Sequence, residues 1–347
     1  MCLYPRIMKN PRKGQLIDER QKYVTVSCGN CYECRKQKAQ AWRVRLCEEM
    51  KDNKEAHFIT LTFTDNSLKT LALKLKTNGE NAIAEHAKRL FLERYRKKYG
   101  KSLRHWLITE LGHEGTERIH IHGIIFFRNQ VNFTNEELFT LWSYGRTDIG
   151  EYCNLQTINY IVKYVTKIDT IHKDYKACIW TSPGIGTRFL KSPSAKNYKY
   201  IKGESREYYV LNNGNKVSLP IYYRNKLYTD TERQKMWSDR IDKNEIWVNG
   251  IHIKNISSIE GYEEYMKIIK YQQEWNRSIG YGSTSSEWEK HEYNLNFKTL
   301  NARTYENARA RTENYEQYAE QFITPLQRIQ RIKELRENKE INNKEPF

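Results

Sequence analysis

The sequence has no apolar run that approaches the roughly 20 residues of a membrane-spanning helix. Its amino-terminal segment, Met1 to Gly14, also lacks the apolar stretch of a signal peptide. A phosphate-binding loop of the form G-x4-G-K-[S/T] is absent as well, because Gly100-Lys101-Ser102 has no glycine at the earlier position. We therefore expect a soluble protein of the cell interior that has no P-loop for nucleotide hydrolysis.

Acidic residues are comparatively few, since 42 Asp and Glu stand against 59 Lys and Arg, which gives a formal net charge of +17. A surplus of this size repels itself unless it faces phosphates or acidic lipids, so it indicates an anionic partner. The 25 tyrosines and 8 tryptophans favour nucleic acid, because aromatic rings stack on unpaired bases. With 347 residues, 38% of them hydrophobic, the chain can build one large or two modest globular domains.

The chain has seven cysteines, and a reducing compartment argues against a disulfide framework. Cys28, Cys31 and Cys34 follow a C-x2-C-x2-C spacing in a segment rich in turn-forming residues. Cys2 can supply a fourth thiolate if the amino terminus folds back onto this segment. We favour a structural zinc site on these four residues, with free structural cysteines and an iron–sulfur cluster as the alternatives.

Two histidines flank one apolar residue in the segment from Arg118 to Phe127. Alternate residues of a β-strand point to the same side, so a strand here projects His120 and His122 together while Ile121 enters the core. A pair of imidazoles on one strand face can bind a metal ion, although many strands carry such a pair without any metal. A metal site would need a third ligand, for which a carboxylate is expected.

The apolar periodicity predicts an α+β fold with an antiparallel sheet and flanking helices. Strands are predicted over 56–63, 103–111, 118–127 and 147–156, and helices over 82–99, from Asn135 to near Gly145, and across 159–167. The strands at 103–111 and 118–127 form an antiparallel pair, which places Glu110 beside the histidines as the expected third ligand. His113 and Glu114, in the connecting loop, are weaker candidates.

The segment from Asn159 to Lys167 carries an unusual pair of tyrosines. Tyr160, Lys163, Tyr164 and Lys167 recur at i, i+3, i+4 and i+7, so a helix places two phenols and two ammonium groups on one stripe. Such a stripe is a poor core face and a plausible reactive one. The alternative is one working tyrosine beside one that only packs.

Basic residues follow the cysteine segment on a predicted helix, whose inward face is expected to carry Trp42, Leu46 and Met50. The basic side chains that we expect as DNA contacts are Arg35, Lys36, Arg43, Arg45 and, on the tyrosine helix, Lys167. The basic segments 94–99 and 196–202, which contain interleaved tyrosines, are further candidate DNA tracks. Hairpins are predicted over 208–219 and 246–253, followed by polar helices over 299–323 and 325–338.

These segments together resemble a known family. The strand Phe58-Ile59-Thr60-Leu61-Thr62-Phe63, then His120-Ile121-His122, then Tyr160-Ile161-Val162-Lys163-Tyr164 are similar to motifs one, two and three of the HUH endonucleases. The cysteine segment, the helix with Trp42 and Arg45, Ser182-Pro183-Gly184-Ile185-Gly186 and Leu219-Pro220-Ile221-Tyr222-Tyr223 resemble the replication initiators of microviruses, particularly the gokushovirus-like group. The resemblance covers roughly residues 1 to 230.

The resemblance implies a fold and a division of the chain. We expect a Cys-rich segment and basic helix over 1–55, an HUH nuclease core with a ferredoxin-like sheet over 56–170, and an accessory DNA-binding or oligomerisation region over 171–347. It also implies a metal-dependent endonuclease and ligase of single-stranded origin DNA, which acts in the cytoplasm of a bacterial host. Without a P-loop, the protein would depend on a host helicase and a host polymerase.

The resemblance also assigns roles to the site residues. His120, His122 and Glu110 are expected to hold Mg²⁺ or Mn²⁺, and Tyr160 or Tyr164 to attack the phosphate with help from Lys163. The product would be a 5′-phosphotyrosine and a free 3′-hydroxyl, with the second tyrosine available for a later cut.

Other classes of protein stay open on the residues alone. A non-enzymatic zinc-dependent DNA-binding regulator would explain the charge and the cysteines but leave Tyr160, Lys163 and Tyr164 without a role. A non-haem iron oxygenase also uses two histidines and a carboxylate, but its carboxylate normally lies between separated histidines. A relaxase or transposase is possible within the nuclease class, although relaxases place their tyrosines before the histidines.

Overall fold

The computed structural model describes residues 1–11, 16–53, 55–112, 117–129, 133–150, 153–167, 175–248 and 250–279. The predicted helices over 299–323 and 325–338 lie outside these residues, as do His113 and Glu114. Within the described ranges, no helix combines the length and the apolar character needed to cross a membrane.

The strands of the described residues are numbered in chain order. They are β1 (Arg6–Lys9), β2 (Tyr23–Val26), β3 (Glu55–Leu61), β4 (Arg104–Leu111), β5 (Ile119–Phe127), β6 (Thr147–Ile149), β7 (Ile179–Thr181), β8 (Tyr208–Val210), β9 (Lys216–Ser218), β10 (Glu245–Val248) and β11 (Ile251–Lys254).

The helices of the same residues are numbered separately. They are α1 (Tyr32–Met50), α2 (Asp65–Leu75), α3 (Glu80–Tyr99), α4 (Asn135–Trp142), α5 (Leu155–Thr166), α6 (Ile221–Leu227), α7 (Asp230–Lys243) and α8 (Ile259–Ser278).

A five-stranded sheet in the order β6-β3-β5-β4-β7 organises the middle of the chain, and every neighbouring pair in it is antiparallel. The predicted α+β class, with an antiparallel sheet and flanking helices, is therefore confirmed. β7 was not predicted, because its three residues are too few to show an alternating pattern. Thr109 helps to hold this edge strand, since Cys178, just before β7, donates its N–H to the Thr109 hydroxyl at 2.8 Å.

The two faces of the sheet differ in character. On one face, Ile119 and Ile121 of β5 join Leu107 of β4 in a buried apolar cluster with Phe91 and Tyr95 of α3. Alternation along β5 therefore turns His120 and His122 to the opposite face. The strand period thus fixes which side of the sheet carries the imidazoles.

Gly123 allows β4 and β5 to approach closely beside the histidines. A Cβ atom at this position would overlap Leu107 Cδ2 and would lie 2.6 Å from the Trp106 carbonyl oxygen. Any side chain here would push the two strands apart, so glycine is required for the pairing that brings Glu110 next to β5.

Two local features differ from the sequence-based prediction. α2 was not predicted; it begins after Thr64, whose hydroxyl accepts the Ser67 N–H, and buries Leu68 and Leu71. The strand predicted over 147–156 is shorter, because Asn154 caps the start of α5 through the N–H groups of Gln156 and Thr157. In both places a helix N-cap signal, a Thr or Asn before the first turn, marks the boundary.

The chain divides into two compact units. Of the described residues, those within 1–53, 154–167 and 183–279 form the first unit, and those within 54–153 and 175–182 form the second. The second unit contains the five-stranded sheet with α2, α3 and α4. The division into segments 1–55, 56–170 and 171–347 stays a prediction.

The first unit is built around α1, which packs against α5. The two hairpins predicted in this unit are present as the pairs β8–β9 and β10–β11. The inward face of α1 departs from the prediction, because Glu48 and Glu49 are buried whereas Trp42 and Met50 are only half-buried. Burial of these carboxylates is possible because each has donors: the Tyr209 hydroxyl reaches Glu48, and the Gly186 N–H lies 2.7 Å from Glu49 Oε2.

Candidate active site

The imidazoles of His120 and His122 lie side by side on β5 in the second unit. Both side chains are half-buried, their ring centroids are 6.3 Å apart, and the ring planes differ by 6°. The parallel orientation follows from residues two apart on one strand, whose side chains leave the sheet in the same direction. The strand therefore presents two imidazoles together, as its sequence predicts.

Glu110 contacts the second of these histidines. Its carboxylate oxygen Oε2 lies 3.2 Å from His122 Nε2. In the strand register Glu110 is opposite His120, so its contact with His122 is a diagonal one across the β4–β5 pair. The distance between this carboxylate oxygen and the imidazole nitrogen is therefore one that two ligands of the same metal ion can have.

Thr60 of β3 holds the His122 ring from the other side. The Thr60 hydroxyl is 3.1 Å from His122 Nδ1, and the Phe58 ring stacks at 6.0 Å between centroids with an angle of 18°. With Nδ1 engaged, Nε2 is the nitrogen that faces the carboxylate. The sequence analysis did not identify Thr60 as a partner of His122. Its position among the polar, outward-facing residues of the predicted strand 56–63 was the available signal.

Burial lowers the pKa of His120 below the usual value of an imidazole, and the neighbouring His122 lowers it further. At neutral pH the ring is therefore uncharged, which is the form that can donate a lone pair to a metal ion. Gly112 gives this ring room, because a Cβ there would lie 3.1 Å from His120 Cε1.

Two imidazoles and a carboxylate form a donor set that suits Mg²⁺, Mn²⁺ or a heavier first-row ion. The structure brings Glu110 and His122 together and places His120 beside them. Among the described residues, four cysteines instead form a group whose ligand atoms already lie close enough together to hold a metal ion. At the histidine site the ligand atoms of Glu110 and His122 are in contact, and the three-ligand set stays a prediction.

The two tyrosines lie on α5 in the first unit. The helix buries Ile158, Ile161, Val162 and Val165, and it turns Tyr160 outward with 49% of its surface exposed. The phenol oxygens of Tyr160 and Tyr164 are 2.6 Å apart, and the rings meet edge to face with centroids at 5.5 Å. The i, i+4 spacing therefore produces a pair of phenols that share one hydrogen bond.

Lys163 on α5 and Lys167, which caps the carboxyl end of α5, accompany the two phenols. Both Lys163 and Lys167 are exposed, and the Lys167 Nζ lies 6.0 Å from the centroid of the Tyr164 ring. The stripe is thus basic as well as phenolic.

The four predicted cysteines converge in the first unit. The sulfur atoms of Cys2, Cys28, Cys31 and Cys34 all lie within 4.8 Å of one another, with Cys31 only 1% exposed. Backbone N–H groups point at the sulfurs: those of Cys28 and Cys31 lie 3.2 Å and 3.3 Å from Cys2 Sγ and Cys28 Sγ. The amino terminus does fold back, as the prediction requires.

The chemistry of this cluster suits a soft metal ion. Side-chain contacts among the four thiols, those with Cys2 above all, lower the pKa of Cys28 and bring that of Cys31 to about 6, while they raise the pKa of Cys2 and of Cys34. Thiolates that accept backbone N–H groups are the ligands of structural zinc sites. The four cysteines form a cluster that could bind a metal such as zinc.

The cluster rests on the carboxyl-terminal part of the first unit. Val248 and Ile253 of the β10–β11 hairpin and Ile269 of α8 pack against it, and Gln273 Nε2 donates to the Leu3 carbonyl at 2.7 Å. The cysteines thus connect the amino terminus, α1 and α8 in one small core.

The predicted DNA contacts on α1 fall into two groups. Arg43 is half-buried and Lys36 is exposed, with its Nζ 5.8 Å from the Tyr32 ring. Arg35 and Arg45 instead make hydrogen bonds within the first unit, and Arg35 donates to the carbonyl groups of Asn30 and Lys167. The Arg45 guanidinium lies between the Trp42 and Tyr222 rings, at 4.2 Å and 4.0 Å, and its Nε donates to the Ile185 carbonyl at 3.0 Å.

Comparison with known proteins gives a consistent result. Residues 56–169 match the family model of the replication-associated protein ORF2. The chain is 21% identical over 271 residues to the replication-associated protein ORF4 of Chlamydia phage 1, across 70% of this chain and 62% of the relative. It is 25% identical over 224 residues to the replication-associated protein VP4 of Bdellovibrio phage phiMH2K, across 57% of this chain and 65% of the relative.

The resemblance to replication initiators of microviruses, which the motifs indicate, is confirmed by these matches. The chain spans less than two thirds of the length of either relative. No solved structure matches the chain significantly.

Proposed function

We propose that this chain, which is similar to phage replication-associated proteins, initiates rolling-circle replication of a small circular phage genome. It would do so as a site-specific endonuclease and ligase of single-stranded DNA. The observation that carries the proposal is the pair of phenols on the exposed face of α5, with 2.6 Å between their oxygens. A purely structural helix face has little use for two surface tyrosines flanked by lysines.

The attack by a tyrosine is a balanced exchange of bonds. The phenol oxygen of Tyr160 or Tyr164 loses its proton and forms a bond to the phosphorus, while the bond from phosphorus to the 3′-oxygen breaks and that oxygen takes up a proton. The product is a 5′-phosphotyrosine with a free 3′-hydroxyl, which host polymerase can extend. The reverse exchange, with a 3′-hydroxyl as the attacking group, rejoins the strand and conserves the energy of the original bond.

An ordinary phenol has a pKa near 10, so its ionised form needs stabilisation at neutral pH. Lys163 and Lys167 accompany the phenols and supply positive charge there. The neighbouring phenol can also donate a hydrogen bond to the oxygen that attacks. After one round, the second tyrosine is available to cut the regenerated origin and release a circle.

The residues of the β5 site fit a divalent ion by their donor chemistry, with His120, His122 and Glu110 as the ligands. A bound Mg²⁺ or Mn²⁺ would polarise the scissile phosphate and offset the charge that repels a nucleophile. Thr60 holds the His122 ring so that Nε2 is presented, and burial keeps His120 uncharged. These contacts prepare the ligands before any ion arrives.

The partners follow from this function. The substrate would be single-stranded DNA at the replication origin, a host helicase would open the duplex, and the reaction would take place in the cytoplasm of the bacterial host. The alternative is a zinc-dependent DNA-binding regulator without enzymatic activity, for which the cysteine cluster is the favourable observation.

The protein incubated with single-stranded origin DNA and Mn²⁺ is expected to cleave it and to form a covalent adduct that survives denaturing electrophoresis. Chelation of the divalent ion by EDTA should suppress both products. A regulator would bind the DNA but give neither cleavage nor adduct, so the same gel separates the two functions.

The segment 196–202 offers a surface for the DNA backbone. Ala195 and Tyr198 are buried and anchor the segment in the first unit, while Lys196, Lys199 and Lys202 are exposed. Each lysine that contacts a phosphate of single-stranded DNA releases a counterion. Each such contact steepens the plot of log K for DNA binding against log salt concentration by about 0.7.

Replacing the three lysines with alanine is therefore expected to reduce the salt slope of single-stranded DNA binding by about 2. Fluorescence anisotropy over a range of NaCl concentrations measures this slope. A matched triple variant at the exposed Lys235, Lys267 and Lys270 should leave it unchanged. Equal reductions of the salt slope in both variants would show that only the total charge of the protein matters for DNA binding. Segment 196–202 would then not be a specific DNA-binding surface.

A further inference from the structure

Arg35 connects the cysteine cluster with the helix that carries the tyrosines. Its Nε donates to the carbonyl of Asn30 at 3.1 Å, and its NH1 donates to the carbonyl of Lys167 at 3.1 Å. Asn30 lies between Cys28 and Cys31 in the cysteine segment, and Lys167 is the residue that ends α5. One planar guanidinium therefore joins two segments separated by more than a hundred residues of sequence.

The cysteine end of this bridge depends on the geometry of the cluster. Asn30 has little freedom, because the next N–H, that of Cys31, lies 3.3 Å from Cys28 Sγ. A metal ion on the four sulfurs would fix the segment from Cys28 to Cys31 further, since all four ligand atoms would then have one centre. The position of the Asn30 carbonyl is thus set by the cluster.

The other end of the bridge is the carboxyl terminus of α5. The backbone leaves helical geometry at Lys167, the residue that caps α5, so its carbonyl needs a donor from outside the helix, and Arg35 supplies one. The Lys167 N–H still bonds to the Lys163 carbonyl at 2.8 Å, which makes Lys167 the final residue held by the helix. Arg35 therefore holds the last turn of α5 in place.

This last turn carries one of the two phenols. Tyr164 lies one turn before the end of α5, with the Lys167 Nζ 6.0 Å from its ring and the Tyr160 oxygen 2.6 Å from its own. Because the two phenols are hydrogen-bonded to each other, movement of the last turn changes the position of both. A short series of contacts thus leads from Asn30 through Arg35 and Lys167 to the tyrosine pair.

We infer that Arg35 is a positioning residue that couples metal binding at the cysteine cluster to the placement of Tyr164 and Tyr160. This inference rests on the proposed function for the role of the tyrosines, but the coupling itself concerns the free protein. It also gives Arg35 a role inside the first unit instead of the phosphate contact that its charge suggests. Loss of zinc would then weaken the reaction without removing any group that touches DNA.

Hydrogen exchange of the DNA-free protein tests the coupling. In the zinc-loaded wild type, the backbone N–H groups near the end of α5, including that of Lys167, should be protected. Chelation of zinc should speed their exchange about 10-fold, whereas Arg35→Gln should speed it by a similar factor with zinc still bound. Chelation of the Arg35→Gln protein should then add little, because the bridge is already broken.

Two further variants sharpen the measurement. Arg35→Lys keeps the charge but cannot reach two carbonyl groups with one planar fork, so intermediate exchange is expected. Lys270→Gln on α8 removes an exposed cation from the same unit and should leave α5 unchanged. Exchange in α7 of the first unit reports whether any variant has lost the fold of the unit that carries the substitution.

Mapping of the adduct gives a second readout. Arg35→Gln should reduce the rate of adduct formation about 10-fold and shift the ratio of adduct on Tyr160 to adduct on Tyr164, as seen by peptide mass spectrometry. The coupling is wrong if Arg35→Gln leaves the exchange of α5 unaltered and instead lowers DNA affinity and the salt slope. It is also wrong if zinc removal does not affect α5. Absence of any adduct in the wild type would contradict the proposed function and leave the exchange result to decide the coupling.

Discussion

The double variant Tyr160→Phe/Tyr164→Phe is expected to form no covalent adduct with origin DNA, a loss of at least about 10³-fold. Each substitution removes only the phenol oxygen and leaves the ring that packs edge to face with its neighbour. Without a phenol on this face of α5, there is no oxygen to form the phosphotyrosine bond. Denaturing electrophoresis of protein incubated with labelled single-stranded DNA and Mn²⁺ measures the loss.

The single variants should behave differently from the double variant. Each retains one phenol and should still nick, within about 10-fold of the wild type, since loss of one hydrogen bond between the phenols costs about 1 kcal/mol. Circle release, which needs two successive attacks, should fall much further in both. If instead only one single variant loses nicking, then the other tyrosine is a packing residue.

A matched control excludes nonspecific effects of losing a phenol. Tyr271 on α8 is 66% exposed and belongs to the same unit, so Tyr271→Phe should form adduct at the normal rate. Full adduct formation by the double variant would contradict the tyrosine mechanism outright. In that case the adduct would have to be traced to another residue by mass spectrometry.

Substitution of the proposed metal ligands on β4 and β5 is expected to have the second largest effect. His122→Ala and Glu110→Gln should each lower nicking about 10³-fold, because the Lewis acid that they would hold lowers the barrier by several kcal/mol. DNA binding in EDTA should be unaffected, since neither side chain is needed to contact the backbone. Initial nicking rates against Mn²⁺ concentration measure the effect.

The supporting contact from Thr60 gives a graded test of the same site. Thr60→Val removes the hydroxyl that lies 3.1 Å from His122 Nδ1 and should weaken metal binding about 10- to 100-fold. The nicking rate should recover at high Mn²⁺ concentration, because the ligands themselves remain. His252→Ala, which removes a half-buried imidazole paired with Glu245 in the first unit, is the matched control and should nick normally. Normal nicking by His122→Ala would show that β5 holds no catalytic ion.

Several parts of the fold followed directly from local sequence patterns. The alternation around Ile121 was sufficient to place both histidines on one face, because a strand has a period of two whatever surrounds it. The spacing of Tyr160 and Tyr164 was sufficient to bring two phenols together, because residues four apart are neighbours on any helix. The antiparallel pairing of 103–111 with 118–127 followed from two strands joined by a short loop.

Other parts could not be predicted from local patterns. β7 has only three residues, too few to show a strand pattern in the sequence. It joins the sheet through its pairing with β4 and through the Thr109 hydroxyl, which accepts the Cys178 N–H. The burial of Glu48 and Glu49 on α1 was not predicted, because the groups that donate to them, the Tyr209 hydroxyl and the Gly186 N–H, lie far along the chain. The contact of Glu110 with His122 instead of its register partner is a diagonal one, which depends on side-chain rotamers and sheet twist.

Local sequence patterns were enough to predict which chemical groups share a face: two imidazoles on one strand, two phenols and Lys163 on one helix, and three thiols at close spacing. The contacts of these groups with residues far away in the chain arise from the packing of whole elements. This packing brought Cys2 to the other three cysteines, Thr60 to His122, and Arg35 to the end of α5. Strand and helix periods are local properties of the backbone and can be read from a short segment, whereas contacts between distant segments depend on every element that packs between them.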